Sequence, residues 1–395
     1  MKCGNGRTKS VKMEQKTPVP GPIFYFSILG KDSKSRARAG CLSTACGKID
    51  TPAFIPDATL ASVKHLTAQE VAATGIQIVL GNLYHLWLRP GSEIISQAGG
   101  LHKFMNWPGP IVTDSGGFQV YSLIHKGRLG GKIRERGAFF NSHLDGARKV
   151  LTPEESIRMQ YQMGSDILLT LDESVPATAP RTYFERSVPL TVRWAARSKA
   201  QFLKLNTTKD RLLFGIVQGG IFPDLLAKSA KETVAIGFDG YALGGVAVGL
   251  EKTKLHEVIG HSVAHLPEDK PRYMLGIGYP KEILRAVSEG VDLFDCVIPT
   301  RNARHASLFT RQGRLNLRKK EFAADFRPIE AGCSCLACQN YSRAYLRHLF
   351  SVGQPLAFRL ATIHNLTFYA SLMKDIRQAI KRGNFSSFAR RASRF

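Results

Sequence analysis

Seven short apolar runs separated by helical stretches constrain the fold of this chain more than any other feature. They are IQIVLGN (76–82), PIVTDSG (110–116), DILLTLDE (166–173), LFGIVQGG (213–220), GYALGGVAVG (240–249), YMLGIG (273–278) and DLFDCVIP (292–299). None alternates apolar with polar, which is the pattern of a parallel strand covered on both faces. The stretches between them carry helix signals. Thr152-Pro153-Glu154-Glu155 reads as an N-cap, a first-turn proline and a glutamate closing a capping box. Residues 225–236 place Leu226, Ala230 and Val234 on one face, and 281–290 do so with Ile283, Leu284 and Val287. Gly237 and Gly290 follow as stops. Strand–helix alternation of this kind predicts a parallel α/β architecture. A barrel is favoured over an open doubly wound sheet, because polar residues end many of the runs. A barrel collects all its strand ends at one mouth, whereas an open sheet binds at a single switch point.

The remaining segments differ in character. Residues 1–22 are basic and rich in Lys, Gly and Pro, and are expected to be disordered. Residues 23–60 suggest short antiparallel strands with turns at Gly30-Lys31-Asp32 and Gly40. The barrel with these strands is expected over 23–315, a cysteine-bearing subdomain over 316–365, a closing helix over 366–382 and a disordered tail over 383–395.

Charge narrows the partners. Lys and Arg number 55 against 31 acidic residues, a formal net charge of +24. A surplus that large attracts polyanions, nucleic acid first and an acidic membrane second. No stretch approaches the roughly 20 apolar residues of a membrane-spanning helix, and the basic N-terminus lacks the apolar core of a secretory signal, so a cytoplasmic protein is expected. In a reducing compartment, Cys333, Cys335 and Cys338 crowded together favour a metal over a disulfide. With His364 downstream they offer a Cys3His set, which suits a closed, structural zinc; His348 and Cys296 are alternative fourth ligands. Cys41 and Cys46 read as ordinary thiols.

Several runs end in acids or glycines. An apolar run that terminates in Asp carries that carboxylate to the carboxyl end of its strand. Asp114, Asp172 and Asp295 should therefore converge over one mouth, beside Gln218 and the Gly244-Gly245 backbone. Taken singly, each Asp reads as well as a helix N-cap; together they suggest a shared site. Paired carboxylates are the usual equipment for displacement at an anomeric carbon. Pattern alone does not rank these acids.

The same residues resemble the tRNA-guanine transglycosylases of the bacterial type. LGNLYHLWLRPG (80–91), VTDSGGFQ (112–119), SHLDG (142–146), GSDILLTLDE (164–173), GIVQGG (215–220), LGIGYP (275–280), FDCVIPTR (294–301) and CSCLACQ (333–339) carry the resemblance, from about Ala39 to Ile380. It implies a (β/α)8 TIM barrel with an N-terminal antiparallel strand region and a zinc-binding subdomain inserted near the C-terminus. It implies exchange of guanine at the wobble position of G-U-N anticodons for a 7-deazaguanine base, preQ1 or queuine. Asp295 is then the nucleophile and Asp114 the general acid/base. Base recognition falls on Ser115, Gly116, Gly117, Asp172, Gln218 and Gly245, with Phe118 and Met274 sandwiching the ring. RNA contacts fall on Gly276, Ile277, Gly278, Tyr279, Pro280, Lys281 and Glu282, and on Thr300, Arg301, Asn302, Ala303 and Arg304. Arg311, Arg314, Arg318, Lys319 and Lys320 extend the basic surface. The metal is a structural Zn2+ on Cys333, Cys335, Cys338 and His364, and the assembly a homodimer. Ser174 and Val246 depart from the Cys and Leu of many bacterial relatives near the C7 substituent of the base, and His305-Ala306 replaces an Asn-Gly. The rivals are a non-catalytic tRNA-binding subunit on the same scaffold and a barrel glycosidase.

Overall fold

The computed structural model describes residues 25–126, 130–245, 255–393 and 395. The 1–22 extension and Val246 lie outside them. β1 (Phe26–Lys31), β2 (Arg38–Thr44) and β3 (Gly47–Thr51) form an antiparallel sheet. Barrel strands β4 (Ala53–Ile55), β5 (Val79–Gly81) and β6 (Ile111–Thr113) follow, then a second antiparallel sheet of β7 (Gly131–Arg134), β8 (Gly137–Asn141) and β9 (Arg148–Leu151). Barrel strands β10 (Ile167–Leu169), β11 (Leu212–Val217), β12 (Gly240–Leu243), β13 (Arg272–Met274) and β14 (Leu293–Asp295) come next. The hairpin of β15 (Ser307–Thr310) and β16 (Gly313–Asn316) comes last.

The eight barrel strands are parallel and neighbour one another in chain order, from β5 through β6 and β10 to β14 and β4. The ends meet where Asp57 bridges Leu80, with Ala58 N donating to Leu80 O (2.7 Å) and Leu80 N to Pro56 O (3.1 Å). That seam closes the (β/α)8 barrel expected from the sequence. β4 was not among the seven runs; its three residues follow directly on the antiparallel strands and read as part of them.

Two faces alternate along each strand, as pleating requires. Ala53, Ile55, Ile78, Leu80, Val112, Leu169, Phe214, Ile216, Ala242, Tyr273 and Leu293 fill the interior together with Leu42 and Ile49 of the first sheet, which plugs the barrel floor. Phe54, Val79, Leu168, Leu243, Met274 and Phe294 pack outward on the helices. The plug is tied down by Arg38, whose guanidinium meets Asp292 at 2.6 Å with both side chains buried. Removing one partner of such a pair leaves an uncompensated buried charge, so this contact fixes the plug against the barrel. Gly40 lies inside β2 and not in a turn: a Cβ there would sit 2.5 Å from Ser27 O, so only glycine allows the β1–β2 approach.

Thr152 caps the helix Pro153–Gln162 through Glu155 N (3.2 Å), but the reciprocal capping-box bond is absent because Glu155 pairs with Arg158. A complete capping box occurs instead at Thr67 and Glu70. The closing helix starts earlier than expected and runs unbroken over Pro355–Lys381, so the expected boundary at 365/366 falls inside one helix. The tail is not without structure: Phe385–Ala392 is helical, because Phe385 is buried and Phe388 packs on the core. No helix among the described residues is long and apolar enough to cross a membrane.

Candidate active site

The carboxyl ends of the barrel strands surround a cavity of about 710 Å³, lined by Asp57, Asn82, Asp114, Ser115, Gly116, Gly117, Phe118, Asp172, Ser174, Gly244, Gly245, Leu275 and Asp295 among others. The alternation that fills the interior also aims these groups. Val112 points inward and so does Asp114; Ile216 is followed by the buried Gln218, Tyr273 by Leu275, and Leu293 by Asp295.

Asp114 is held by four donors. Leu83 N (2.8 Å) and Gly116 N (3.2 Å) reach Oδ1, while Asn82 Nδ2 (2.6 Å) and Gln119 Nε2 (2.9 Å) reach Oδ2. Burial pushes its carboxyl up to about 7, against those hydrogen bonds, and the charge of Asp295 adds to the rise. Asp295 accepts from Gly276 N (3.2 Å), and burial lifts it to about 6 despite the Tyr273 hydroxyl beside it and that backbone donor. Asp172 accepts from Gln218 Nε2 (2.6 Å) and Ser115 Oγ (3.4 Å), and burial raises it to about 6. Gly117 lets this corner close: a Cβ there would come within 2.6 Å of Asp172 O. The three sequence-predicted acids thus converge, as do Gln218 and the Gly245 backbone.

Phe118 is half-exposed at the rim and can cover a planar ligand. Met274 cannot. It is fully buried on the helix-facing side of β13, and Leu275, one residue on, lines the cavity in its place. A one-residue slip along a strand changes the face. Gly276, Ile277, Gly278, Tyr279, Glu282 and Arg301 border the cavity, and Lys281 is exposed next to it in a groove with Pro280, Arg285 and Arg314. Thr300 and Ala303, expected to contact RNA, are buried, the Thr300 hydroxyl bonding Val297 O, so the helix Ile298–Arg304 presents the exposed Arg301 and the half-buried Asn302 and Arg304 instead. Asp57 was missed from the sequence. It follows β4 as Asp114 follows β6, and burial together with the charges of Asp295 and Asp114 holds its carboxyl far above the usual range.

Cys333, Cys335, Cys338 and His364 bring one donor atom each within 4.8 Å of one another, with the three sulfurs 3.3–3.9 Å from His364 Nδ1. Those separations suit the edges of a tetrahedron around one metal ion. His364 Nε2 faces Phe309 O at 2.8 Å, which leaves Nδ1 as the ligand atom. His348 and Cys296 are not part of the group; Cys296 lines the cavity beside Asp295. The helix carrying His364 also holds the mouth: Asn365 Nδ2 donates to Pro299 O (2.9 Å), and the Tyr369 hydroxyl to Gly278 O. At the other end of the barrel Cys46 lies with His102 and Asp166, its thiol pushed up to about 12 by burial and by Asp166.

A closed barrel with an acid cluster at its mouth, and a Cys3His group that could hold a metal ion with His364 on the last long helix, defines the class as a barrel enzyme. Residues 32–395 match the family model described as queuine tRNA-ribosyltransferase. Proteins of that name from Solidesulfovibrio magneticus and Nitratidesulfovibrio vulgaris are 47% and 49% identical over 354 residues, covering 89% and 90% of this chain and 93% of each relative. The one from Halothermothrix orenii is 49% identical over 356 residues, covering 90% of this chain and 93% of the relative. The chain belongs to the queuine tRNA-ribosyltransferase family, the tRNA-guanine transglycosylases, and is a pentosyltransferase.

Proposed function

We propose that this enzyme exchanges guanine at the wobble position of tRNAs with a G-U-N anticodon for a 7-deazaguanine base, by double displacement through Asp295. The observation that carries the reading is the placement of Asp295 and Asp114 on one cavity also lined by Asp172, which Gln218 bonds from behind the wall. The Asp295 carboxylate attacks ribose C1′ as the bond to guanine N9 breaks, and the departing guanine takes a proton from Asp114. The incoming base gives its N9 proton back to Asp114; N9 then attacks C1′ and the ester to Asp295 breaks. Two inversions at one carbon retain configuration, and one carboxyl serves both half-reactions in opposite directions.

Asp172 is suited to accept from N1–H and the 2-amino group of the base, and Gln218 and Gly245 N to donate to O6. The Gln218 amide bonds Asp172 in the structure, so a bound base would replace it there and release it for O6. Gln119 fits the proton traffic. Its buried side-chain oxygen has no partner among the described residues, and a half-turn of the amide would offer Asp114 an acceptor once that acid is protonated. Phe118 and Leu275 lie where they would enclose the ring, and Ser174 faces the same cavity. Arg301, Lys281 and Arg314 would neutralise phosphates of the anticodon loop, whose unstacked base is cheaper to extrude than one in a duplex. A homodimer working in the cytoplasm completes the reading.

The test is incorporation of labelled guanine into an unmodified G-U-N tRNA, with preQ1 and queuine as competitors. Incorporation is expected, with either competitor suppressing it in proportion to its acceptance; a tRNA whose wobble guanine is changed to adenine should take up none. Label entering that variant tRNA equally would overturn the assignment of position.

The Cys3His group is assigned one structural zinc per chain, which would fasten the helix that supports Pro299 and Gly278. Cys335→Ser should lose the zinc measured by elemental analysis and lower the melting temperature by roughly 5 °C or more. An unchanged metal content would contradict the ligand set.

A further inference from the structure

Asp57 has no place in the mechanism above, and its surroundings call for one. The other three acids of the cavity each accept protein hydrogen bonds: Asp114 from four donors, Asp172 from Gln218 and Ser115, and Asp295 from Gly276 N. Among the described residues none donates to the Asp57 side chain, although it is half-buried in the cavity wall and faces Asp295 and Asp114. A partly buried acid beside two like charges, with no protein donor among the described residues, adds nothing to the stability of the fold. It is a group waiting for a ligand.

The barrel geometry says which part of the ligand comes near. Ile55 pairs with Asp295 across β4 and β14, and Asp57 is the next inward position along β4. Its backbone then bridges to Leu80 on β5. On the far side of the mouth stand Asp172 and Gln218, which follow β10 and β11. With the base held there and C1′ at Asp295, the sugar would turn its other edge toward Asp57. The 2′-carbon is bonded to C1′, so its hydroxyl would be the sugar hydroxyl nearest the reacting carbon and within reach of this sector.

We propose that Asp57 binds the ribose 2′-hydroxyl of the target nucleotide and makes the enzyme select RNA over DNA at that position. The inference rests on the transglycosylase reading. Burial and the two neighbouring carboxylates favour the protonated form of Asp57, which can donate to the hydroxyl oxygen while its carbonyl oxygen accepts in return. The 2′-hydroxyl is the group by which a protein distinguishes the two nucleic acids at a given site. Contacts to the hydroxyl next to an anomeric carbon also strengthen as positive charge develops there, so the effect should fall on kcat as well as KM.

The experiment is a cycle of two enzymes and two substrates. Guanine exchange is measured on an anticodon stem-loop RNA and on the same RNA with a single 2′-deoxyguanosine at the target position. Wild-type enzyme and Asp57→Val are compared, with Asp57→Ala in place of the valine variant should that one not fold. Asp57→Val is expected to lower kcat/KM on the ribose substrate by about 10- to 100-fold, the worth of one buried hydrogen bond, and to change the deoxy substrate by no more than about twofold. Asp57→Asn, which keeps a donor and an acceptor, should retain most of the ribose preference. Loss by the same factor on both substrates would overturn the proposal and leave Asp57 acting only through its neighbours. A ribose preference that survives Asp57→Val would overturn it too. No exchange by wild type on the all-ribose RNA would instead be a failure of the transglycosylase reading itself.

Discussion

Asp295→Asn should lose guanine exchange by roughly four orders of magnitude or more, because it replaces the carboxylate that forms the covalent bond with a neutral amide of negligible nucleophilicity. The amide is nearly isosteric and can still accept from Gly276 N, so the loop after β13 keeps its anchor. Nor should the fold suffer. The Asp295 carboxyl is pushed up to about 6 by burial, which means that its charged form is disfavoured in the folded protein. A group with a raised folded-state value costs stability as pH rises above its unfolded value. At pH 7.5 the neutral amide should therefore melt at the same temperature as the wild type or higher. Lost activity in a protein of undiminished stability assigns the defect to chemistry. Residual exchange within tenfold of wild type would remove Asp295 from the role.

Asp114→Asn should cost about 10²- to 10⁴-fold in kcat, the range for a positioned general acid/base. Binding of guanine should suffer far less, since Asp172 and Gln218 are untouched. The two acids also predict a pH profile. Asp295 has to be ionised to attack, so kcat/KM should fall as pH drops through about 6. Asp114 has to hold a proton for the departing guanine, and with its carboxyl raised to about 7 the rate should fall as pH rises beyond that point. The result is a bell whose limbs belong to the interacting acids jointly. In Asp114→Asn the alkaline limb should vanish from the residual activity; a limb that persists unchanged would assign it to another group.

The fold and the three acids were legible because their signal repeats. An apolar run ending in Asp or Gln carries its own geometric message, and Asp114, Asp172 and Asp295 came from different strands yet met at one mouth, with Gln218 bonding Asp172 beside it. The Cys3His group was legible from spacing and chemistry. What escaped was short or lay off by one. β4 has three residues, Ala53-Phe54-Ile55, set just behind three antiparallel strands, so no continuous run marked it. With β4 unread, the period-two series Ala53, Ile55, Asp57 also went unread, although it ends in an acid as β6 and its successor do. Met274 was placed on the base through the resemblance, but the pleat turns it outward and Leu275 inward. The assignment of Thr300 and Ala303 to RNA treated a helix as if all its faces were exposed. The tail helix was missed because only Phe385 and Phe388 among its charged and small residues mark an apolar face.

The covalent bond to Asp295 is the claim on which the rest depends, and it can be trapped. The enzyme is mixed with a labelled G-U-N stem-loop RNA in the absence of any incoming base, guanine is removed as it leaves, and the mixture is run on a denaturing gel. A band of RNA-bound protein is predicted for the wild type, absent in Asp295→Asn and discharged when guanine is added back. Peptide mapping should place the RNA on the peptide containing Asp295. A band of equal strength in Asp295→Asn, or an adduct mapped to Asp114, Asp172 or Asp57, would contradict the account.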